Sequence, residues 1–344
     1  MEKTLFESLI DKNKKVISIV GLAKNTGKTV TLNYLTENFY KNNFRVGLIS
    51  YGRDGEEIDL ITGKKKPPVN VYPGSYFVTS SRALRGSTLK YKKIKSTDIK
   101  TTMGEVNLYQ SLDQGVVQLV GINRVSHLLI VKDLIESFVD YILIDGALDR
   151  KSSALPRLSD AMILSTGAVI GINIEDVIKK TSYELKKIMI DSLKDKNELL
   201  KLQSFENKGV SVLWTKNEGV VEFNSPTSLM LINDIIDYLE KNNIEKIKYL
   251  FINGAFTDTV AKKIFKLKYN KFELVVPDST KLFLNEMSFN LLTKNNIGIN
   301  VLYPMNIIGL TINPYNPEGD SLDKEQFLQK IIKKIDLPIY NIKA

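Results

Sequence analysis

A chain of 344 residues with 43% apolar and 25% charged residues is long enough for one large or two ordinary domains and has an ordinary globular composition. It has no cysteine and a single histidine, His127, which excludes disulfides, thiolate metal sites and cysteine nucleophiles and argues against His-based metal sites or triads. The formal charge of +9 comes from lysines spread along the chain among many Asn and Ile residues, with Lys64-Lys65-Lys66 the densest run, so it reads as codon bias and not as a nucleic-acid footprint. Residues 1–15 are charged and lack the apolar core of a signal peptide, and no apolar run nears the ~18 residues of a membrane span. The expectation is a cytoplasmic protein with no membrane or nucleic-acid partner.

The first elements read as strand, loop, helix, strand. Val16 to Val20 is a short β-branched run of buried-strand character. A Gly-containing loop follows, and then Leu32, Leu35 and Phe39 recur at helical spacing over Val30 to Tyr40. A second strand runs from Arg45 to Ser50, which makes a βαβ unit and predicts a parallel sheet. From Gly52 to Pro73 the chain is charged and loop-like. A weaker mixed region leads to a strand at Val116 to Val120, a helix at Ser126 to Ser137, and strands at Tyr141 to Ile144 and Ala161 to Leu164. A long helical stretch, Ile174 to Gln203, reads as the hinge between two halves. The second half carries strands at Val210 to Leu213, Tyr249 to Ile252, Glu273 to Val276, Ile299 to Leu302 and Ile307 to Ile312, with helices at Ser228 to Lys241 and Thr257 to Phe265. The expected fold is α/β, a mainly parallel sheet flanked by helices, with a second α/β region at the C-terminus. The expected domains are 1–203 and 204–344.

The loop Gly21-Leu22-Ala23-Lys24-Asn25-Thr26-Gly27-Lys28-Thr29 meets the requirements of a phosphate loop. Its Gly-Lys-Thr lies between a buried strand and a helix, so successive amides and the helix N-terminus form an anion nest that Gly27 allows a phosphate to approach. Lys28 reaches the β- and γ-phosphates and Thr29 binds Mg²⁺. The first glycine is Gly21, one residue earlier than the strict pattern requires. The run Gly21 to Val30 resembles the loop of dethiobiotin synthetase and its relatives, which also place five residues between the glycines. The resemblance implies a nucleotide site formed by Gly21, Lys24, Asn25, Thr26, Gly27, Lys28, Thr29 and Val30. The signature lysine of the MinD-like subgroup falls at Ala23, which disfavours that subgroup.

A carboxylate at the end of a buried strand is where a Mg²⁺ ligand belongs, and Asp145 in Ile144-Asp145-Gly146-Ala147 fits. It resembles the Glu-Gly-Ala of the dethiobiotin synthetase group. A third candidate is Asp54 in Gly52-Arg53-Asp54-Gly55-Glu56-Glu57, for the metal or the attacking water, with Glu56, Glu57 and Asp59 as competitors and Arg53 for the γ-phosphate. For the base, Thr215-Lys216-Asn217-Glu218 is a faint match to the guanine-reading motif, whose Asp is here Glu. Tyr315 in Asn313-Pro314-Tyr315-Asn316-Pro317 is placed to stack on a base. ATP is the nucleotide expected.

Three kinds of chemistry are compatible with such a loop. One is an ATP-dependent carboxylate-activating ligase resembling dethiobiotin synthetase; the absence of cysteine excludes its amidase relatives, whose glutaminase domain needs a cysteine nucleophile. A metallochaperone GTPase would need metal-handling His or Cys residues. The remaining class is an ATP-driven reactivase. Gly21 to Thr29, Gly52 to Glu56, Thr102 to Val106, Gln118 to Gly121, Ile144 to Arg150 and Ile312 to Tyr315 together resemble the reactivase subunits encoded beside lysine 5,6-aminomutase in lysine fermenters. That resemblance implies exchange of damaged cobalamin for adenosylcobalamin on the aminomutase, with a second, MutS-like ATPase subunit as partner.

Overall fold

The first helix, α1 (Leu5–Asp11), is closed by a capping box. Thr4 Oγ1 accepts from the Glu7 amide at 3.2 Å, and the Thr4 amide donates to Glu7 Oε2 at 2.7 Å. The apolar run after it forms β1 (Val16–Gly21), buried at every residue. In α2 (Lys28–Lys41), Leu32, Leu35 and Phe39 fall on one face and are fully buried. The Phe39 ring stacks on Tyr141 at 4.3 Å and meets Phe6 edge-on at 5.2 Å. Then come β2 (Val46–Tyr51), β3 (Val69–Val71), β4 (Tyr76–Ser80), β5 (Tyr91–Thr101), β6 (Gly104–Ser111), β7 (Gly115–Val117), α3 (Val125–Glu136), β8 (Tyr141–Gly146), β9 (Ala161–Gly167) and α4 (Ile174–Ile188). The computed structural model describes residues 3–52, 68–85, 87–120, 122–146, 157–216, 219–242, 244, 246–267, 271–317 and 319–342.

Next are α5 (Lys196–Asn207), β10 (Ser211–Thr215), β11 (Val220–Phe223), α6 (Ser228–Lys241), β12 (Ile247–Phe251), β13 (Phe256–Thr257), α7 (Asp258–Ile264), β14 (Glu273–Val276), β15 (Leu282–Phe283), α8 (Glu286–Lys294) and β16 (Gly298–Val301). The chain ends with β17 (Ile307–Asn313), α9 (Lys324–Ile332) and β18 (Ile339–Tyr340).

Two compact units result: Met1–Ser182 with Asn306–Ala344, and Tyr183–Met305. The expected division at 203/204 differs from this at both ends of the second unit. The chain enters that unit within α4, and from Asn306 it returns to the first. The reason is non-local. β17 pairs in parallel with β9, Leu310 with Leu164, Thr311 with Ser165 and Asn313 with Gly167, so the last strand of the expected second half belongs to the first sheet. That sheet has nine strands in the order β18-β17-β9-β1-β8-β2-β4-β6-β5. It is parallel from β18 to β4 and antiparallel at the β4-β6-β5 edge.

Unit 2 has a sheet of order β11-β10-β12-β14-β16. Its last three strands are parallel and its first two pairings antiparallel. On one face the sheet packs Leu213, Leu250 and Leu274 with Ile232 and Ile235 of α6 and Ile264 of α7.

Two expectations about local structure are corrected. The stretch Ile174 to Gln203 is two helices, because Asp195 opens a second one by accepting from the Asn197 and Glu198 amides at 2.9 and 3.1 Å. The mixed region after Pro73 contains the hairpin of β5 and β6. β5 is an edge strand, mostly exposed on both faces, so it lacks the alternation that marks a half-buried strand. Its lysines Lys92, Lys93, Lys95 and Lys100 and its two register irregularities blunt the edge against pairing with another chain. Among the described residues, no helix is long and apolar enough to cross a membrane.

Candidate functional site

β1 lies inside the sheet between β8 and β9, and its C-terminal end opens into the loop that leads to α2. The loop starts under control of the sheet, because the Leu22 amide donates to the Ser165 carbonyl at 2.8 Å. It then reverses direction through two left-handed residues, Asn25 (φ 60°) and Gly27 (φ 90°). These are the residue types that tolerate that conformation. Thr26, almost fully buried, donates its hydroxyl to the Ala23 carbonyl at 3.0 Å. A Cβ at position 21 would fall 2.3 Å from Thr26 Oγ1 and 2.8 Å from Lys28 Cγ. The tight return of the chain therefore requires glycine at 21, which is why the first glycine of the pattern stands there and not at Leu22.

The Lys28 side chain folds back along the loop, its Nζ 3.5 Å from the Ala23 carbonyl. Thr29 is buried in the first turn of α2, Val30 is half-buried, and Lys24 and Asn25 are exposed at the tip. α2 begins at Gly27 with no side-chain cap and no acidic residue in its first turn. Its positive end therefore carries neither of the usual internal compensations.

Asp145 is brought to the same place by the sheet. β8 is the immediate neighbour of β1, with Asp145 in register with Ile19 on one side and Ser50 of β2 on the other. Leu143, two residues earlier on the same face of β8, packs in the core with Ile17, Ile19 and the α2 residues Leu32, Leu35 and Phe39. Asp145 is thus on the α2 face, at the end of the strand that adjoins the loop, and is 2% exposed. A buried carboxylate and the Thr29 hydroxyl are hard oxygen ligands of the kind Mg²⁺ takes. Among the described residues no three or more Asp, Glu or His side chains are grouped as a metal site.

Ser50 adds a feature that the sequence reading passed over. It is 2% exposed, and its Oγ has no hydrogen-bond partner among the described residues. The only signal for it in the sequence is a lone hydroxyl near the end of an otherwise apolar strand.

β17 completes the surroundings of the loop. Thr31 of α2, Thr311 of β17 and Ser165 of β9 form a buried row of hydroxyls, at 3.1 and 2.7 Å. At the end of β17, Asn313 Nδ2 donates to the Asn25 carbonyl at 2.8 Å, and its Oδ1 accepts from the Tyr315 amide at 3.2 Å. Tyr315 is therefore tethered beside the loop, and the residue is 60% exposed. Arg53, Asp54, Glu56, Glu57 and Asp59 lie outside the described residues. Thr215, the first residue of the faint guanine-type match, is the last residue of β10 in unit 2, its amide and hydroxyl both bonded to the Gly219 carbonyl; Asn217 and Glu218 lie outside the described residues. Of the other segments named above, Gln118 and Val120 are held by Thr79, whose hydroxyl donates to the Gln118 carbonyl at 2.7 Å and accepts from the Val120 amide at 3.2 Å.

Compared with known proteins, the chain matches no family model and no curated protein.

Proposed function

We propose that this chain binds and hydrolyses ATP with Mg²⁺, and that hydrolysis drives reactivation of a lysine 5,6-aminomutase by release of damaged cobalamin. The observation that carries the nucleotide part is the loop Gly21 to Thr29, which reverses through left-handed Asn25 and Gly27 and opens an uncapped helix. The strand beside it ends on buried Asp145. That combination supports a phosphate-binding loop with its cation site.

In this reading the amides from Asn25 to Thr29 hold the phosphates, Lys28 moves from the Ala23 carbonyl onto the β- and γ-phosphate oxygens, and Thr29 and Asp145 hold Mg²⁺. The ion, when bound, neutralises charge on the phosphate oxygens. Asp54, by its place after β2, is the residue proposed to orient the attacking water. Tyr315, exposed beside the loop, is proposed to cover the base.

The reactivase part rests on the resemblance of the segments named above and on the build of the chain. Unit 2 is a separate compact body beside the nucleotide-binding unit in the chain, the kind of addition a partner-binding role in this reading calls for. Its partners in this reading are the aminomutase and a MutS-like ATPase subunit.

The test has two stages. The purified chain is expected to hydrolyse ATP slowly alone and faster with the aminomutase. Adding it with the MutS-like subunit and ATP is expected to restore an aminomutase inactivated by a cobalamin lacking its adenosyl group. Hydrolysis without recovery would remove the reactivase assignment and keep the nucleotide one. Turnover with a small carboxylic acid alone would point to a ligase. No ATP binding at all would remove every part of the proposal.

A further inference from the structure

Asn313 comes from a part of the chain almost three hundred residues after the loop, yet it is built into the loop. Its Nδ2 donates to the Asn25 carbonyl at 2.8 Å. That carbonyl belongs to a left-handed residue, φ 60°, in the short segment between Ala23 and Gly27 that reverses the chain. Asn tolerates that region, and the bond from Asn313 adds a restraint on the turn from outside the loop. The Asn313 Oδ1 accepts from the Tyr315 amide at 3.2 Å, which sets the orientation of the carboxamide and makes Nδ2 the donor toward the loop. Its Cβ lies 3.2 Å from where a Cβ on Gly27 would stand, so the side chain also packs directly on the second left-handed residue. One side chain thus touches both residues that shape the turn.

The backbone beneath Asn313 is itself held. β17 pairs with β9 up to the partners Asn313 and Gly167, and the Thr311 hydroxyl two residues earlier is bonded to Ser165 and Thr31. The Asn313 Cα therefore sits on a fixed platform, and its amide is a fixed donor and not a floppy surface group.

We propose that Asn313 is a positioning residue for the phosphate loop. It holds the Asn25–Gly27 turn in the shape in which the loop amides converge on an anion, so that residues 306–344 take part in phosphate binding without touching phosphate. This rests on the assignment of Gly21 to Thr29 as a phosphate loop. The ligand class it acts on is the polyphosphate, not the base.

The proposal separates cleanly from a base-contact role, because inorganic tripolyphosphate has no base. Binding of Mg²⁺–ATP and of Mg²⁺–tripolyphosphate is measured by calorimetry for the full chain and for Asn313→Ala, Thr181→Val and Lys28→Ala. Thr181→Val removes a buried hydroxyl pair with Thr166, 2.7 Å long, elsewhere in unit 1, and reports what a comparable loss of stability does by itself. Asn313→Ala is expected to weaken both ligands by the same factor, about five- to tenfold, the worth of one neutral hydrogen bond. Thr181→Val is expected to bind both as the parent does. Loss of ATP affinity alone in Asn313→Ala would overturn the proposal in favour of base contact. Unchanged affinity for both ligands would overturn it, as would an equal loss in Thr181→Val or a parent chain that binds ATP without binding tripolyphosphate. Undiminished ATP affinity in Lys28→Ala would strike the phosphate-loop assignment itself, an outcome distinct from all of these.

Discussion

Helices in both units open on side-chain caps, Thr4 for α1 and Asp323 for α9 in unit 1, but α2 departs from that rule. In unit 2 every helix opens on a side-chain cap: Asp195 for α5, Thr227 for α6, Thr257 for α7 and Asn285 for α8, with acceptor distances from 2.8 to 3.4 Å. In unit 1, α2 opens on left-handed Gly27 with no side-chain cap. Both units rest on sheets with parallel strands and on large buried apolar clusters, so the contrast is not one of packing quality. A helix whose task is to cover a sheet satisfies its first amides with its own side chain. A helix that begins on a glycine turn directs those amides to a concave loop, where a ligand can satisfy them. α3 also lacks a side-chain cap, at Arg124. No left-handed pair of residues precedes it among the described residues, so the open end alone is not the distinguishing feature. The turn and the neighbouring buried carboxylate are.

The contrast can be pressed from its common ground outward. Phe39→Ala in unit 1 and Phe256→Ala in unit 2 each remove a fully buried ring. Each is expected to cost about 3–5 kcal/mol in denaturant unfolding; a loss below about 1 kcal/mol in only one of them would show that the two cores are not equivalent. Lys28→Ala is expected to lower ATP hydrolysis about 100- to 1000-fold with the unfolding midpoint unchanged. Lys196→Ala, at the first position of capped α5, should leave hydrolysis as it is. Equal effects of the two substitutions would erase the distinction between open and closed helix ends.

Removing a cap gives a smaller, purely structural effect. Thr227→Ala is expected to cost about 1 kcal/mol and to leave nucleotide affinity intact. Gly27→Ala is expected to cost about 1–2 kcal/mol through its left-handed conformation and also to abolish nucleotide binding. Stability loss without binding loss at Gly27 would detach the turn from the site.

The smallest effect concerns how the sheet of unit 1 is tied together at the other end of its strands. Burial disfavours the charged form of Asp140, but hydrogen bonds from the Arg45 guanidinium and the Arg45 amide, the latter 2.8 Å long, outweigh it and hold this carboxyl below its ordinary range. Its contribution is fully present above about pH 4 and is lost as the pH falls through the lowered value. Asp140→Asn should therefore lower stability by the same amount at pH 5 and at pH 8 and change it little once the pH lies below the lowered value, which flattens the acid side of the profile; an equal loss in strong acid would assign the effect to packing.

Much of this site was legible in the sequence because its signals are local. The apolar run Val16 to Val20, the Gly-Lys-Thr after it and the helical spacing of Leu32, Leu35 and Phe39 fix a strand, a tight loop and a helix from covalent neighbours alone. The strand ending in Asp145 was legible for the same reason. Which strand lies beside which is not a local property. Only the tertiary structure places β8 and β9 on either side of β1, sets Ser50 in register with Asp145, and returns β17 to the first sheet so that Asn313 grips the loop. Each of those depends on pairing between residues that are far apart in sequence. The hydrogen bonds of such pairs follow from the register of whole strands, and no window of sequence around one member contains it. The glycine at 21 shows both sides of this division. Its presence near the Gly-Lys-Thr was visible from the start, but the crowding by Thr26 and Lys28 that requires it exists only once the loop has closed.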